Sequence, residues 1–93
     1  MTRRQDLTAT AFASLRNMQG VRRKSATRAL ARLGKDPEPD GRTRRELPFP
    51  YRPGTCGALY EDFLILYTLT AEALVILDVQ VVVSTADEWL DDD

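Results

Sequence analysis

Four arginines, Arg42, Arg44, Arg45 and Arg52, fall within eleven positions of a stretch that also holds all five prolines, DPEPDGRTRRELPFPYRPG. Guanidinium groups on a backbone stiffened by proline can grip phosphates or carboxylates with two parallel hydrogen bonds. A second basic set, Arg22, Arg23, Lys24, Arg28 and Arg32, follows at helical spacing. Such a row serves either as a docking surface or as the solvated face of an amphipathic helix. Asp78 and Gln80 interrupt the apolar run ALVILDVQVVV. They mark either a strand end reaching solvent or a polar anchor for a partner segment.

Other chemistry is excluded by composition. The chain has no histidine, so Ser–His and Cys–His nucleophilic pairs and the usual zinc sites are ruled out. A single cysteine, Cys56, forms no internal disulfide, which fits a reducing, cytoplasmic setting, and it reads as an ordinary loop residue. The tail STADEWLDDD carries Asp87, Glu88, Asp91, Asp92 and Asp93 around Trp89 and Leu90. Terminal acids of this kind are solvated charge rather than a metal site. Neither cofactor nor metal is expected, and no catalytic residue is assigned. Tyr51, Tyr60 and Tyr67 sit at spacings more typical of core or rim aromatics than of proton donors.

Charge is divided along the chain. Residues 1–54 hold all 13 Lys and Arg and only five acids, whereas residues 55–93 hold nine acids and no base, so the net charge of −1 conceals two opposed halves. Either an anionic partner meets the first half or the two halves neutralise each other. The acidic half would repel an exposed phosphate backbone, so a protein partner or the tail explains the arginines at least as well as nucleic acid. No run is long and apolar enough to span a bilayer, and the arginines near the start precede no signal-peptide core.

The elements that would position these groups form one α+β domain over residues 1–93. Thr8 is a candidate N-cap, with Phe12, Leu15 and Met18 on the inner stripe and Gly20 as the helix breaker. A second helix spans about Val21 to Leu33, burying Ala26, Ala29, Leu30 and Leu33, with Gly34 as its C-cap glycine. So short a link predicts an antiparallel helical hairpin. Residues 36–54 form a Pro/Arg-rich loop or edge segment. Strands run Leu59–Leu69 and Leu74–Val83 around a turn at Thr70–Ala73. A two-residue turn puts Leu64 and Leu66 on one face with Val75, Leu77, Val79 and Val81. The other face then holds Phe63, Ile65, Tyr67, Leu69, Leu74 and Ile76, with Asp78 and Gln80 at its end. Both faces are largely apolar and the hairpin covers only one. The other must meet the N-terminal segment, the acidic tail at 84–93 or another chain.

Three stretches in this order resemble the RelE/ParE superfamily of toxin–antitoxin toxins. LTATAFASLRNMQ is similar to that family's first helix, which follows a short opening strand, although MTRRQDL is short and polar for a strand. VRRKSATRALARLGKDPEPDG is similar to its second helix and the following stretch, and FLILYTLTAEALVILDV to its central hairpin. The resemblance implies a helical hairpin on a small, mainly antiparallel sheet, and a cognate antitoxin as partner. In the mRNA-cleaving branch it also implies an arginine where Leu64 stands, and His or Arg and then Tyr where VQVVVSTADEWL stands. Leu64, Val81 and Val82 cannot stabilise a phosphorane-like charge. The expectation is therefore a toxin component or divergent non-catalytic relative acting by protein binding, with DNA gyrase as a candidate target. The alternatives are a ribosome-dependent mRNA endoribonuclease using Arg44, Arg45, Arg52 and a tyrosine, a non-toxic interaction module, and a homodimer through the apolar sheet face.

Overall fold

A computed structural model of the chain describes residues 3–82. The expected helix or docked tail at 84–93 lies outside the described residues. Strand β1 (Arg4–Leu7) leads into α1 (Ala9–Asn17) and α2 (Gly20–Lys35), followed by β2 (Arg44–Glu46), β3 (Thr55–Tyr60), β4 (Phe63–Leu69) and β5 (Ala73–Val81). The strands form one sheet in the order β1-β5-β4-β3-β2. β1 runs parallel to β5, and all other pairs are antiparallel. This is the expected α+β architecture, and the short polar opening segment does form a strand. Among the described residues, no helix is long and apolar enough to cross a membrane.

Thr8 caps α1 as its side chain predicts. Its Oγ1 accepts from the Ala11 N–H at 3.1 Å and donates to the Leu77 carbonyl at 2.8 Å, which ties the helix start to β5. The inner stripe differs from expectation. Ala11 is fully buried and Met18 buried, whereas Phe12 is 53% exposed. Ala11, Leu15 and Met18 are spaced at i, i+4 and i+7, and Phe12 lies one position further round, off that stripe. Gly20 does not close α1; Met18 does, and Gly20 opens α2 with φ +53°. Gly34 is not the C-cap either. The helix continues to Lys35 and ends at Asp36, because the residue before Pro37 is disfavoured in the helical region. Ala26, Ala29, Leu30 and Leu33 face the sheet as expected.

The single strand expected from Leu59 to Leu69 is a hairpin. β3 and β4 are joined at Glu61 and Asp62, with Glu61 in the left-handed region at φ +53°. TCGALY is poor in β-branched residues, and only pairing with β2 and β4 on both sides makes it a strand. Cys56 is therefore a buried strand residue, not a loop residue. Burial, followed by the nearby Glu46 charge, pushes its thiol pKa up.

The β4–β5 turn has the expected two central residues. Thr70 accepts from the Ala73 N–H through its Oγ1 at 2.9 Å, and Leu69 pairs with Leu74. Alternation then fails at Leu77. Tyr67 pairs with Ile76, but Leu66 pairs with Asp78, so one extra residue bulges out of β5. Beyond the bulge every residue changes face. Val79 and Val81 lie opposite Ile65 and Phe63 on the helix side, and Asp78 and Gln80 lie opposite Leu66 and Leu64. The expected grouping of Val79 and Val81 with Leu64 and Leu66 is corrected accordingly. The core that results gathers Tyr60, Phe63, Ile65, Tyr67, Leu74, Ile76 and Val79 beneath the two helices.

Candidate binding surfaces

The ten residues singled out for binding lie on three parts of the fold, and the structure does not gather them into one site. Arg22, Arg23, Lys24 and Arg28 are exposed on α2, with Arg28 Nη2 donating to Ser25 Oγ at 3.2 Å. Residues 9–35 contain seven Lys and Arg and no Asp or Glu, so the whole helical layer presents one sign of charge. Arg32 leans over the ring of Tyr60 at 4.9 Å, a cation–π contact that fixes one of these cations against β3.

The second group lies on the loop and its edge strand. Arg44 is turned inward, its side chain 13% exposed. Its Nε donates to the Glu38 carbonyl at 2.8 Å, and its Nη2 lies 3.2 Å from both Asp36 Oδ2 and Asp40 Oδ2. The Arg44 and Arg42 backbone N–H groups also donate to Asp40 Oδ1, at 3.0 and 2.8 Å. These two backbone bonds, in that order, hold the Asp40 carboxyl below the usual carboxylate range. Arg44 thus staples the loop to itself. Tyr67 secures the loop start from beneath, its hydroxyl donating to the Pro37 carbonyl at 2.8 Å. Arg45 points the other way, since it pairs with Gly57, which pairs with Leu66 on the face that, among the described residues, carries no helix. Arg42 and Arg52 are exposed.

The third group closes the end of β5. Asp78 accepts from Ser14 Oγ at 2.6 Å and from Gln80 Nε2 at 3.3 Å, so it links α1 to the bulged strand. Gln80 is exposed.

Several exposed apolar groups escaped the sequence reading. Phe49 is 93% exposed at the tip of the β2–β3 loop, and Val21 is 79% exposed at the α1–α2 turn. The signal for Phe49 was its place between two prolines, Pro48 and Pro50, which no strand or helix pattern could bury. On the helix-free face, Leu59, Leu64, Leu66 and Val75 are half-buried neighbours across β3, β4 and β5. Among the described residues, no three Cys, Asp or Glu side chains converge as a metal ligand set.

No family model matches the sequence, and no curated protein matches it. Solved structures do. The chain is similar to a chain of the toxin–antitoxin complex RelBE2 from Mycobacterium tuberculosis, with a TM-score of 0.73 and 21% identity over 87% of this chain and 99% of that one. It is similar to a chain of the archaeal RelE–RelB complex from Pyrococcus horikoshii, with a TM-score of 0.65 and 15% identity over 87% and 96%. A chain of the E. coli DinJ–YafQ toxin–antitoxin complex aligns with a TM-score of 0.56 and 14% identity over 87% and 93%. The protein has the fold of RelE-like toxins. At these identities the likeness is one of fold.

Proposed function

We propose that the protein is the toxin component of a toxin–antitoxin pair, or a divergent relative of one, acting by protein contact rather than by RNA cleavage. Residues 1–93 act as a single domain in a bacterial cytoplasm, and the partner is a cognate antitoxin. The observation that carries this reading is the helix-free sheet face. Leu59 pairs with Leu64 there, Leu66 and Val75 are half-buried on the same face, and Leu64 stands where the resemblance to the cleaving branch implies an arginine. An antitoxin segment laid across that face would cover apolar surface that neither α1 nor α2 covers. The solved neighbours support such a partner, since those named above were determined as toxin–antitoxin complexes.

The ribonuclease alternative has in its favour Arg45, a cation that shares the apolar face through Gly57 and Leu66, and the exposed Arg52 and Tyr51. Arg44 is committed to Asp36, Asp40 and Glu38, and Tyr60 and Tyr67 are buried, so they do not serve it.

The test is induced expression of the chain alone, with growth, mRNA integrity and DNA supercoiling read in the same cells. Arrest with intact mRNA is the expected result, and altered supercoiling or DNA breaks would point to gyrase as the target. Arrest with cleaved mRNA that Arg45→Ala abolishes would replace this reading with the nuclease. Normal growth at a verified protein level would remove the toxin assignment and leave a non-toxic binding module.

A further inference from the structure

Strand β1 is an edge of the sheet. β5 lies on one side of it, and among the described residues no strand lies on the other. The Arg4 N–H donates to the Glu72 carbonyl and the Thr8 N–H to the Ile76 carbonyl, both at 3.0 Å. Alternate residues face the neighbouring strand, so Arg4, Asp6 and Thr8 turn their backbone groups to β5, and Gln5 and Leu7 turn theirs outward. The opposite edge, β2, is three residues long and runs into Pro48 and Pro50, which blunt it. β1 contains no proline. Its outward row of N–H and C=O groups is a template for another strand.

The side chains narrow the choice of that strand. Arg4 and Asp6 pair with Ala73 and Val75 on the helix-free face, where Arg4 Nε lies 3.0 Å from Asp6 Oδ1. Gln5 and Leu7 pair with Leu74 and Ile76 on the helix side. Gln5 Nε2 donates to the Leu30 carbonyl at 3.2 Å, whereas Leu7 is left 41% exposed. Beside Gln5 a cleft of about 620 Å³ opens against α2, with Ala31, Gly34 and Leu74 in its lining and Arg3 and Lys35 as its cations. Arg3 is held by Glu38 at 3.1 Å and by the Thr70 carbonyl at 3.0 Å.

We propose that β1 pairs antiparallel with β1 of a second copy, about a two-fold axis at Gln5. Backbone groups meet only where outward residues oppose outward residues, which leaves few registers. An axis at Arg4 sets two guanidinium groups opposite each other, and an axis at Asp6 sets two carboxylates together; both are unfavourable. An axis at Leu7 overlaps little of the strand. The axis at Gln5 places Arg4 opposite Asp6 of the second copy, and Asp6 opposite its Arg4. It also brings Leu7 of the second copy opposite Arg3, at the mouth of the cleft. Charges on an edge strand ordinarily keep other chains away, but the order of these two makes the edge complementary to itself. The backbone ladder and the covering of Leu7 supply the attraction, and the charges choose the register. The two five-stranded sheets become one, with both helix-free faces on the same side. Leu64 and Leu66 stay uncovered, so this dimer is distinct from one built on the apolar face and stands or falls separately from the toxin reading.

The experiment is analytical ultracentrifugation of the full chain over a range of concentrations, with thermal transitions confirming that each variant folds. The expected result is a dimer whose population rises with concentration. Arg4→Asp and Asp6→Arg each place like charges across the axis and should each raise the dissociation constant about tenfold. An equimolar mixture of these two variants should dimerise as the parent does, because each supplies the charge the other lacks. The double substitution Arg4→Asp/Asp6→Arg should recover the dimer for the same reason. Leu64→Asp should leave it intact, and the Gln5 and Leu7 amides should gain protection from hydrogen exchange as it forms. A monomer at every concentration overturns the proposal, as does a dimer that neither single charge change weakens or that the mixture fails to restore. A dimer dissolved by Leu64→Asp alone overturns it in favour of the helix-free face. Protected Gln5 and Leu7 amides in a monomer overturn it by showing the edge covered from within the chain.

Discussion

Replacing Tyr67 by Phe deletes one hydroxyl from a fully buried side chain whose donor bond, 2.8 Å to the Pro37 carbonyl, spans 30 residues of sequence. Phe refills the ring's space, so the cost arises at Pro37, a buried residue whose carbonyl loses this donor. A buried acceptor left unsatisfied costs about 1–3 kcal/mol. In a chain of this size that lowers the melting temperature by about 4–8 °C for each kcal/mol. The same hydroxyl sets a pH dependence. Burial first, and then the neighbouring Cys56, push the Tyr67 pKa well above its ordinary value. The fold therefore prefers the neutral phenol. Its contribution is complete below the unfolded-state pKa of about 10 and is lost as pH rises above that value. Cys56 is shifted in the same direction, so part of the alkaline loss will remain in the variant. Urea titrations of parent and Tyr67→Phe, at neutral pH and above about pH 10, separate these effects. The variant should be less stable at neutral pH and lose less on going alkaline. A variant as stable as the parent at neutral pH, or one with an unchanged alkaline slope, would refute the reasoning.

Thr8→Ala removes both the α1 cap and the donor to the Leu77 carbonyl, and should cost about 0.5–2 kcal/mol by urea titration, with Thr8→Ser recovering most of it. Gly34→Ala should stabilise by about 0.5–1 kcal/mol. The glycine is helical, and a Cβ there would meet only Gln5 Nε2, at an ordinary 3.5 Å. Arg44→Met should lower the melting temperature and speed proteolysis within residues 37–43, because the loop loses the contacts to Asp36, Asp40 and Glu38. Asp40, whose pKa is depressed, contributes stability that is present above its unfolded value of about 3.9 and lost as pH falls through the folded one. Limited proteolysis of the parent should therefore quicken in acid, and Asp40→Ala should show that sensitivity already at neutral pH.

Much of the fold was legible in local signals. Thr8 announced α1 because a cap is a contact between a side chain and a backbone three residues away. The stripe Ala26, Ala29, Leu30 and Leu33 announced the buried face of α2 because 3.6-residue periodicity is written directly into sequence. The Pro-rich segment declared itself a loop with an edge strand, since proline cannot donate to a central ladder. The candidate binding residues were legible as types but not as neighbours. Arg44 and Arg45 are adjacent in sequence, yet one is drawn inward to three loop partners and the other lies on the helix-free face.

The sequence by itself determined the two helices, the β4–β5 turn and the division of charge, all of which depend on residues close together in the chain. Tertiary structure alone decided three things. It made a strand of TCGALY, which has no strong preference of its own and takes its conformation from β2 and β4. It fixed the segment after α2 by holding the Pro37 carbonyl to the Tyr67 hydroxyl of β4, 30 residues away. And it inserted the bulge at Leu77, which sends Val79 and Val81 to the helix side, sets Gln80 opposite Leu64, and leaves the Asp78 carboxylate bonded to Ser14 of α1. Alternation assigns faces only while the register holds, and a register is a property of two strands, not of one.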